Sequence, residues 1–136
     1  MAVKVVVPKD ISFLILEDSA VFQRKLLIEL KKMGFTGATV LVTPSVKEAI
    51  EIVENEKIDF IITDFHLPDG DGIELIESVR EMVSHKTTPI LVVTSADDVS
   101  NMIDAINAGA SNYMVKPWGQ SEFPEKVNFC WKKAKK

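Results

Sequence analysis

The chain contains a single cysteine, Cys130, in 136 residues. One thiol can form neither an internal disulfide nor a cysteine-based metal site. Long apolar runs are also missing. No stretch reaches the roughly 18 residues needed to cross a bilayer, and the N-terminus lacks the apolar core of a secretory signal. The compartment expected on these grounds is the cytoplasm, with no membrane association. Positive charge is not in excess either. A formal net charge of −4 argues against the basic face that nucleic-acid-binding domains carry, so no direct nucleic-acid contact is expected. The one basic run, Lys132, Lys133, Lys135 and Lys136, reads as a solvated helix end. No internal repeat or low-complexity segment is present.

What is there suffices for one folded domain. With 46% hydrophobic and 26% charged residues the chain can bury a core and stay in solution, which excludes disorder, and its length needs no second domain. Short, unbroken, β-branched or aromatic runs fall at Phe13 to Leu16, Thr39 to Val42, Phe60 to Ile62, Ile90 to Val93 and Tyr113 to Val115. Such continuous apolarity suits strands buried on both faces, as in parallel sheets. Helical patterns lie between them. Phe22, Leu26, Leu30 and Met33 recur at helical spacing before Gly34, a C-terminal cap. Ser45 is placed to cap a helix carrying Val46, Ala49, Ile50 and Val53. A third helix uses Leu75, Ile76, Val79 and Met82. The fourth uses Val99, Met102, Ile103 and Ile106 and ends near Gly109. The last runs through Val127 and Cys130, with Pro124 confined to its first turn. Five strands alternating with five helices imply an open parallel α/β sheet with helices on both faces. Residues 1–10 sit outside this pattern as an N-terminal extension, an edge strand or a linker end, and residues 11–136 form the domain.

The polar residues cluster by position. In such a sheet the site forms beyond the carboxyl ends of the strands, and four of the five strands end in residues with chemistry. FLIL runs into Glu17 and Asp18, FIIT into Asp64, ILVV into Thr94 and Ser95, and YMV into Lys116 and Pro117. A single acidic residue there would read as a helix cap; four such endings do not. Three carboxylates within about 4 Å repel by several kcal/mol per pair at an effective dielectric near 20. The cluster therefore calls for protons or a cation. Oxygen-only ligands suit Mg²⁺ or Mn²⁺, a lysine supplies a point charge for an anion, and a threonine supplies a hydrogen bond. Carboxylate nucleophile, metal, lysine and hydroxyl together make a phosphoryl-accepting site.

The ordered set FLILED, ITDFHLPDGDG, VVTSADD and GASNYMVKPW resembles the response-regulator receiver domain, in particular the chemotaxis-type single-domain regulators. The resemblance covers roughly residues 12 to 131, with 46 residues from Asp18 to Asp64, 30 from Asp64 to Thr94 and 22 from Thr94 to Lys116. It implies a flavodoxin-like fold with strand order 2-1-3-4-5, and a domain that is not an enzyme. Asp64 would take phosphate from the phosphohistidine of a sensor histidine kinase or phosphotransfer protein. Glu17, Asp18, Asp64 and the backbone carbonyl of His66 would hold Mg²⁺. Thr94 and Lys116 would contact the phosphoryl oxygens. Thr94 and Tyr113 would act as the switch, read by a downstream protein on the face formed by the fourth helix, fifth strand and last helix. The Lys116–Pro117 bond would be cis. Phe65 and Leu67 read as packing residues, and Pro68, Gly70 and Gly72 as a turn. Three positions depart from the commonest family pattern. Glu17 stands where a second aspartate is usual, its longer reach allowing it to act through water; Ala96 is small; Trp118 replaces a frequent phenylalanine. None removes a required group. The fifth-strand segment Ser111, Asn112, Tyr113 lacks the acidic residues of the dimeric DNA-binding regulators, which implies a monomer.

Other classes fit less well. A flavodoxin-type electron carrier needs a Ser/Thr/Gly phosphate loop where this chain has E-D-S-A-V-F. A haloacid-dehalogenase-type phosphatase expects D-x-D after its first strand, whereas Asp64 follows the third. A pure interaction module without phosphorylation is separated only by a phosphoryl-donor test.

Overall fold

The computed structural model describes residues 6–95 and 99–135, Val99 by its backbone alone. The elements alternate along the chain as β1 Ser12–Leu16, α1 Ala20–Lys32, β2 Thr39–Thr43, α2 Val46–Asn55, β3 Phe60–Asp64, α3 Gly72–Glu81, β4 Ile90–Ser95, α4 Val99–Ala108, β5 Asn112–Lys116 and α5 Glu122–Ala134. The strands pair in the order β2-β1-β3-β4-β5, each pair parallel. This is the flavodoxin-like strand order that the resemblance implies.

Successive side chains of a strand point to opposite faces, so the central strands feed two cores at once. Phe13, Ile15, Phe60 and Ile62 pack under α1 and α5 with Leu26, Leu30, Phe123 and Val127. Leu14, Leu16, Ile61 and Val92 pack under the other helices with Val46, Ala49, Leu75 and Ile76. Each such fully buried Leu, Ile or Phe stabilises the fold by roughly 1.5–3 kcal/mol. Val7 joins the first core, so part of the N-terminal segment packs against the domain. Cys130 is also buried there, and burial pushes its thiol up to about 12, which makes it inert.

Several expectations need correcting. Burial on both faces holds for β1, β3 and β4, but the edge strands β2 and β5 are only partly covered. In α4, Ile103 and Ile106 face outward (62% and 37% exposed), while Met102 and Ala105 are buried. Ala105 lets the helix seat closely, and the two isoleucines lie one position round the helix on the solvent side. The turn after Asp64 contains a short antiparallel pairing of His66–Leu67 with Gly70–Asp71. The side chain of Val99 and the position of Ala96 lie outside the described residues.

Helix starts sit where the strands end. Ser19 accepts a hydrogen bond from the Phe22 amide, Ser45 from Glu48 and Asp71 from Glu74, each satisfying an orphan donor of a helical first turn. Gly34 ends α1 at φ +96°, the left-handed conformation that favours glycine.

Candidate functional site

The carboxyl ends of β1, β3, β4 and β5 bring together Glu17, Asp64, Thr94 and Lys116. The register sets this. Asp64 pairs with Val93, Thr94 with Val115 and Ser95 with Lys116, so carboxylate, hydroxyl and lysine stand on successive strands, each one residue further toward the carboxyl edge. Glu17 and Asp18 continue β1 into the loop before α1. Ligand oxygens of Glu17, Asp18 and Asp64 all lie within 4.8 Å of one another.

Lys116 organises the cluster. Its Nζ lies 2.8 Å from Asp64 Oδ2, donating a hydrogen bond, and 2.7 Å from Glu17 Oε1. The second contact is an ion pair and not a hydrogen bond, since that oxygen has no hydrogen-bond partner among the described residues. The other Asp64 oxygen accepts from the Phe65 amide at 2.6 Å, and Glu17 Oε2 accepts from the Ser19 amide. Gln23 clamps the same loop by donating to the Glu17 carbonyl at 2.6 Å. Gly72 stands against the loop at Asp64: a Cβ there would meet the Asp64 carbonyl oxygen at 2.5 Å, so a side chain would displace the loop.

Burial and charge pull in opposite directions here. Burial raises the Glu17 carboxyl above its ordinary range, and Lys116 and the Ser19 amide offset this only in part. For Lys116, burial alone would lower the ammonium, but the hydrogen bond to Asp64 and the close Glu17 carboxylate outweigh it and hold the pKa above the usual lysine value. Two carboxylates contact the one ammonium and Asp18 adds a third nearby, so negative charge is in surplus. An all-oxygen donor set with surplus negative charge fits a hard divalent cation.

The remaining expected residues are placed as follows. Thr94 is buried, and its hydroxyl oxygen has no hydrogen-bond partner among the described residues, an orphan that asks for an acceptor. Asp18 is exposed. The His66 side chain is exposed and sets its ring edge-on to Phe65 at 5.0 Å. Phe65 is buried, and Leu67 packs against the second core. The Lys116–Pro117 bond is cis. Tyr113 lies apart from the cluster, on the β5 edge and 37% exposed.

Comparison with known proteins agrees with this geometry. The family model for the response regulator receiver domain matches residues 13–128. The chain belongs to the response regulator receiver family. A receiver domain is a signalling module of two-component systems rather than a conventional enzyme. Among its relatives, the chemotaxis protein CheY homolog of Campylobacter jejuni strain 81-176 is 31% identical over 115 residues, covering 84% of this chain and 87% of the relative. A response regulator structure from Chloroflexus aurantiacus superposes with a TM-score of 0.79 at 32% identity, covering 90% of this chain and 98% of the other. The receiver domain of sensor histidine kinase PA1611 from Pseudomonas aeruginosa shares the fold at TM-score 0.77 and 21% identity, covering 93% and 99% of the two chains. That protein holds a magnesium ion in its active-site cleft. No helix among the described residues of this receiver is long and apolar enough to cross a membrane.

One site neighbour escaped the sequence reading. Phe22, expected on the core face of α1, is only half-buried and lies beside the Lys116 ammonium. Nothing in helical periodicity separates a core phenylalanine from one that faces a site at the helix start.

Proposed function

We propose that this receiver domain, residues 11–136, accepts a phosphoryl group on Asp64 from the phosphohistidine of a sensor histidine kinase or phosphotransfer protein. The observation that carries the reading is the meeting of three carboxylate side chains at the carboxyl edge of the sheet, two of them paired to one lysine. An Asp64 carboxylate oxygen forms the new O–P bond as the donor's P–N bond breaks, and the imidazole leaves with the electron pair. The Lys116 ammonium, already 2.8 Å from Asp64, would balance charge on the phosphoryl oxygens, and the Thr94 hydroxyl, unpaired among the described residues, would donate to one of them. Mg²⁺, with Mn²⁺ as a substitute, would be held by Glu17, Asp18, Asp64 and the His66 carbonyl. When bound, it supplies charge neutralisation for the incoming phosphate.

The domain acts as a monomeric switch and not as an enzyme on other substrates. Its output is a protein partner reading the face of α4, β5 and α5, where Tyr113 and the outward isoleucines of α4 stand. The test is direct. Incubated with Mg²⁺ and a small phosphoryl donor such as phosphoramidate, the chain should gain the mass of one phosphoryl group. Asp64→Asn should gain none, and chelating the metal should abolish the reaction in wild type. Uptake by Asp64→Asn equal to wild type would show that another group is the acceptor.

A further inference from the structure

We propose that Phe22 is a positioning residue for the Lys116 ammonium, braced from behind by a Trp118–Glu29 hydrogen bond. This rests on the phosphoacceptor reading of Asp64 for its consequence, though not for its geometry. Lys116 Nζ lies 4.3 Å from the centroid of the Phe22 ring, inside the range in which a ring face attracts a cation. The ammonium therefore has three contacts: two carboxylates and one aromatic ring.

The three contacts differ in what phosphorylation does to them. Forming the O–P bond turns the Asp64 carboxylate into an ester-like group and removes its charge. The Lys116 ammonium then exchanges its Asp64 anchor for the phosphoryl oxygens and must move to follow them. A ring face is not consumed by the reaction. Phe22 keeps the ammonium at the rim in both states, in a mostly buried place where the attraction is weakly screened.

The ring itself is held in place. Phe22 starts α1, its amide donating to the Ser19 cap. Its ring packs on Trp118 at a centroid distance of 6.0 Å, and Trp118 packs on Phe123 of α5 at 6.4 Å. The Trp118 indole N–H donates to Glu29 Oε2 at 2.7 Å, about two turns further along α1 than Phe22. A phenylalanine at position 118 would lack that donor. The tryptophan thus ties the loop after Lys116 to α1 and closes one side of the Phe22 ring. Phe22, Trp118 and Glu29 line a cleft of about 220 Å³, open on its outer side, so without the hydrogen bond little would fix the indole.

The experiment compares wild type, Phe22→Leu, Phe22→Tyr and Trp118→Phe. The first reading is the side-chain ε-CH₂ resonance of Lys116 by NMR. A ring face shields these protons. Phe22→Leu should move them downfield, Phe22→Tyr should leave them near the wild-type position, and Trp118→Phe should give an intermediate shift. The second reading is the rate of phosphorylation by phosphoramidate at saturating Mg²⁺, beside Mg²⁺ affinity. Phe22→Leu should slow phosphorylation roughly 3- to 30-fold, the span of a cation–π contact expressed as a rate, with Mg²⁺ affinity within twofold of wild type. Phe22→Tyr should restore the rate. A folded Phe22→Leu protein whose Lys116 resonances do not move overturns the proposal. So does one that phosphorylates at the wild-type rate. Should wild type itself take up no phosphate, the acceptor reading falls, while the Lys116 resonances still decide whether Phe22 holds the ammonium.

Discussion

Around Lys116 the charges do not balance, and Asp18 is the carboxylate with the fewest constraints: Glu17 and Asp64 both touch the ammonium, whereas Asp18 is exposed. A dication should bind by relieving this repulsion, and binding to the folded state alone raises stability by about 2.7 kcal/mol at a hundredfold excess over Kd. For a chain of this size that corresponds to a thermal midpoint higher by on the order of 5–10 °C. Asp18→Asn should lose most of the Mg²⁺-dependent rise and, without metal, melt at or above wild type. Thermal scans with and without Mg²⁺ check this, and equal rises in the two proteins would remove Asp18 from the ligand set. At this scale much was legible from sequence, because Glu17, Asp64 and Lys116 each follow directly from a strand whose apolar run is unmistakable. The direction of the Glu17 side chain was not legible: it turns inward, 1% exposed, to Lys116. Rotamer choice in a crowded site depends on neighbours 50 or more residues away, which local pattern does not encode.

At the scale of elements, the helices were visible wherever a polar face offset an apolar one. α2 and α3 bury Val46, Ala49, Val53, Leu75, Ile76 and Val79 as their spacing requires. In α4 the apolar residues spread over too wide an arc to say which side is inner, and small Ala105 carried no weight in the pattern although it is fully buried. Long-range polar ties were invisible for a similar reason. Arg80 near the end of α3 donates from Nε and Nη2 to the Gly109 carbonyl at 3.0 and 2.8 Å, and from Nη1 to the His85 carbonyl at 2.9 Å. It thereby joins the end of α4 to the 3-10 turn that follows α3. Gly109 itself has φ +123°, and a Cβ there would stand 2.8 Å from Arg80 Cγ, so the residue pair is mutually fitted. Lysine, with one ammonium, cannot reproduce a planar fork that reaches two carbonyls. Arg80→Lys should cost about 2 kcal/mol of stability, since hydrogen bonds from a charged donor contribute roughly 1.5–3 kcal/mol and the site is only half-buried. Urea unfolding measures it. A variant within 0.5 kcal/mol of wild type would make the tie dispensable.

For the molecule as a whole, alternation of buried strands and amphipathic helices was enough to foresee the sheet, while its order came from the family resemblance, since five parallel strands admit several orders. That order sets a path from the carboxylate cluster to the β5 surface: β4 carries Thr94 beside β5, and β5 carries both Lys116 and Tyr113. Tyr113 borders a shallow pocket of about 230 Å³ with Met102, Ile103 and Ile106 of α4, and Lys126 of α5 lies 5.1 Å from its ring. Phosphorylation adds about −1.5 to −2 charges and strong acceptor oxygens at Asp64. The buried Thr94 hydroxyl, unpaired among the described residues, should turn to donate to one of them. That motion vacates space on the β5 side, and Tyr113 is the aromatic placed to move inward and fill it. The exposed apolar surface of α4 would then be rearranged together with α5, and a partner that prefers one arrangement shifts the balance only by its differential affinity, typically 1–3 kcal/mol. Beryllofluoride with Mg²⁺, standing in for the phosphoryl group, should therefore shift backbone amides across residues 99 to 131 in wild type. Thr94→Val, which keeps the shape and loses the hydroxyl, should bind the same reagent with much smaller shifts there. Lys116→Met, which keeps an apolar stem, should fold but likewise lose the distant response. Full shifts in Thr94→Val, or shifts in wild type confined to the loops around Asp64, would show that signal leaves the site by another route.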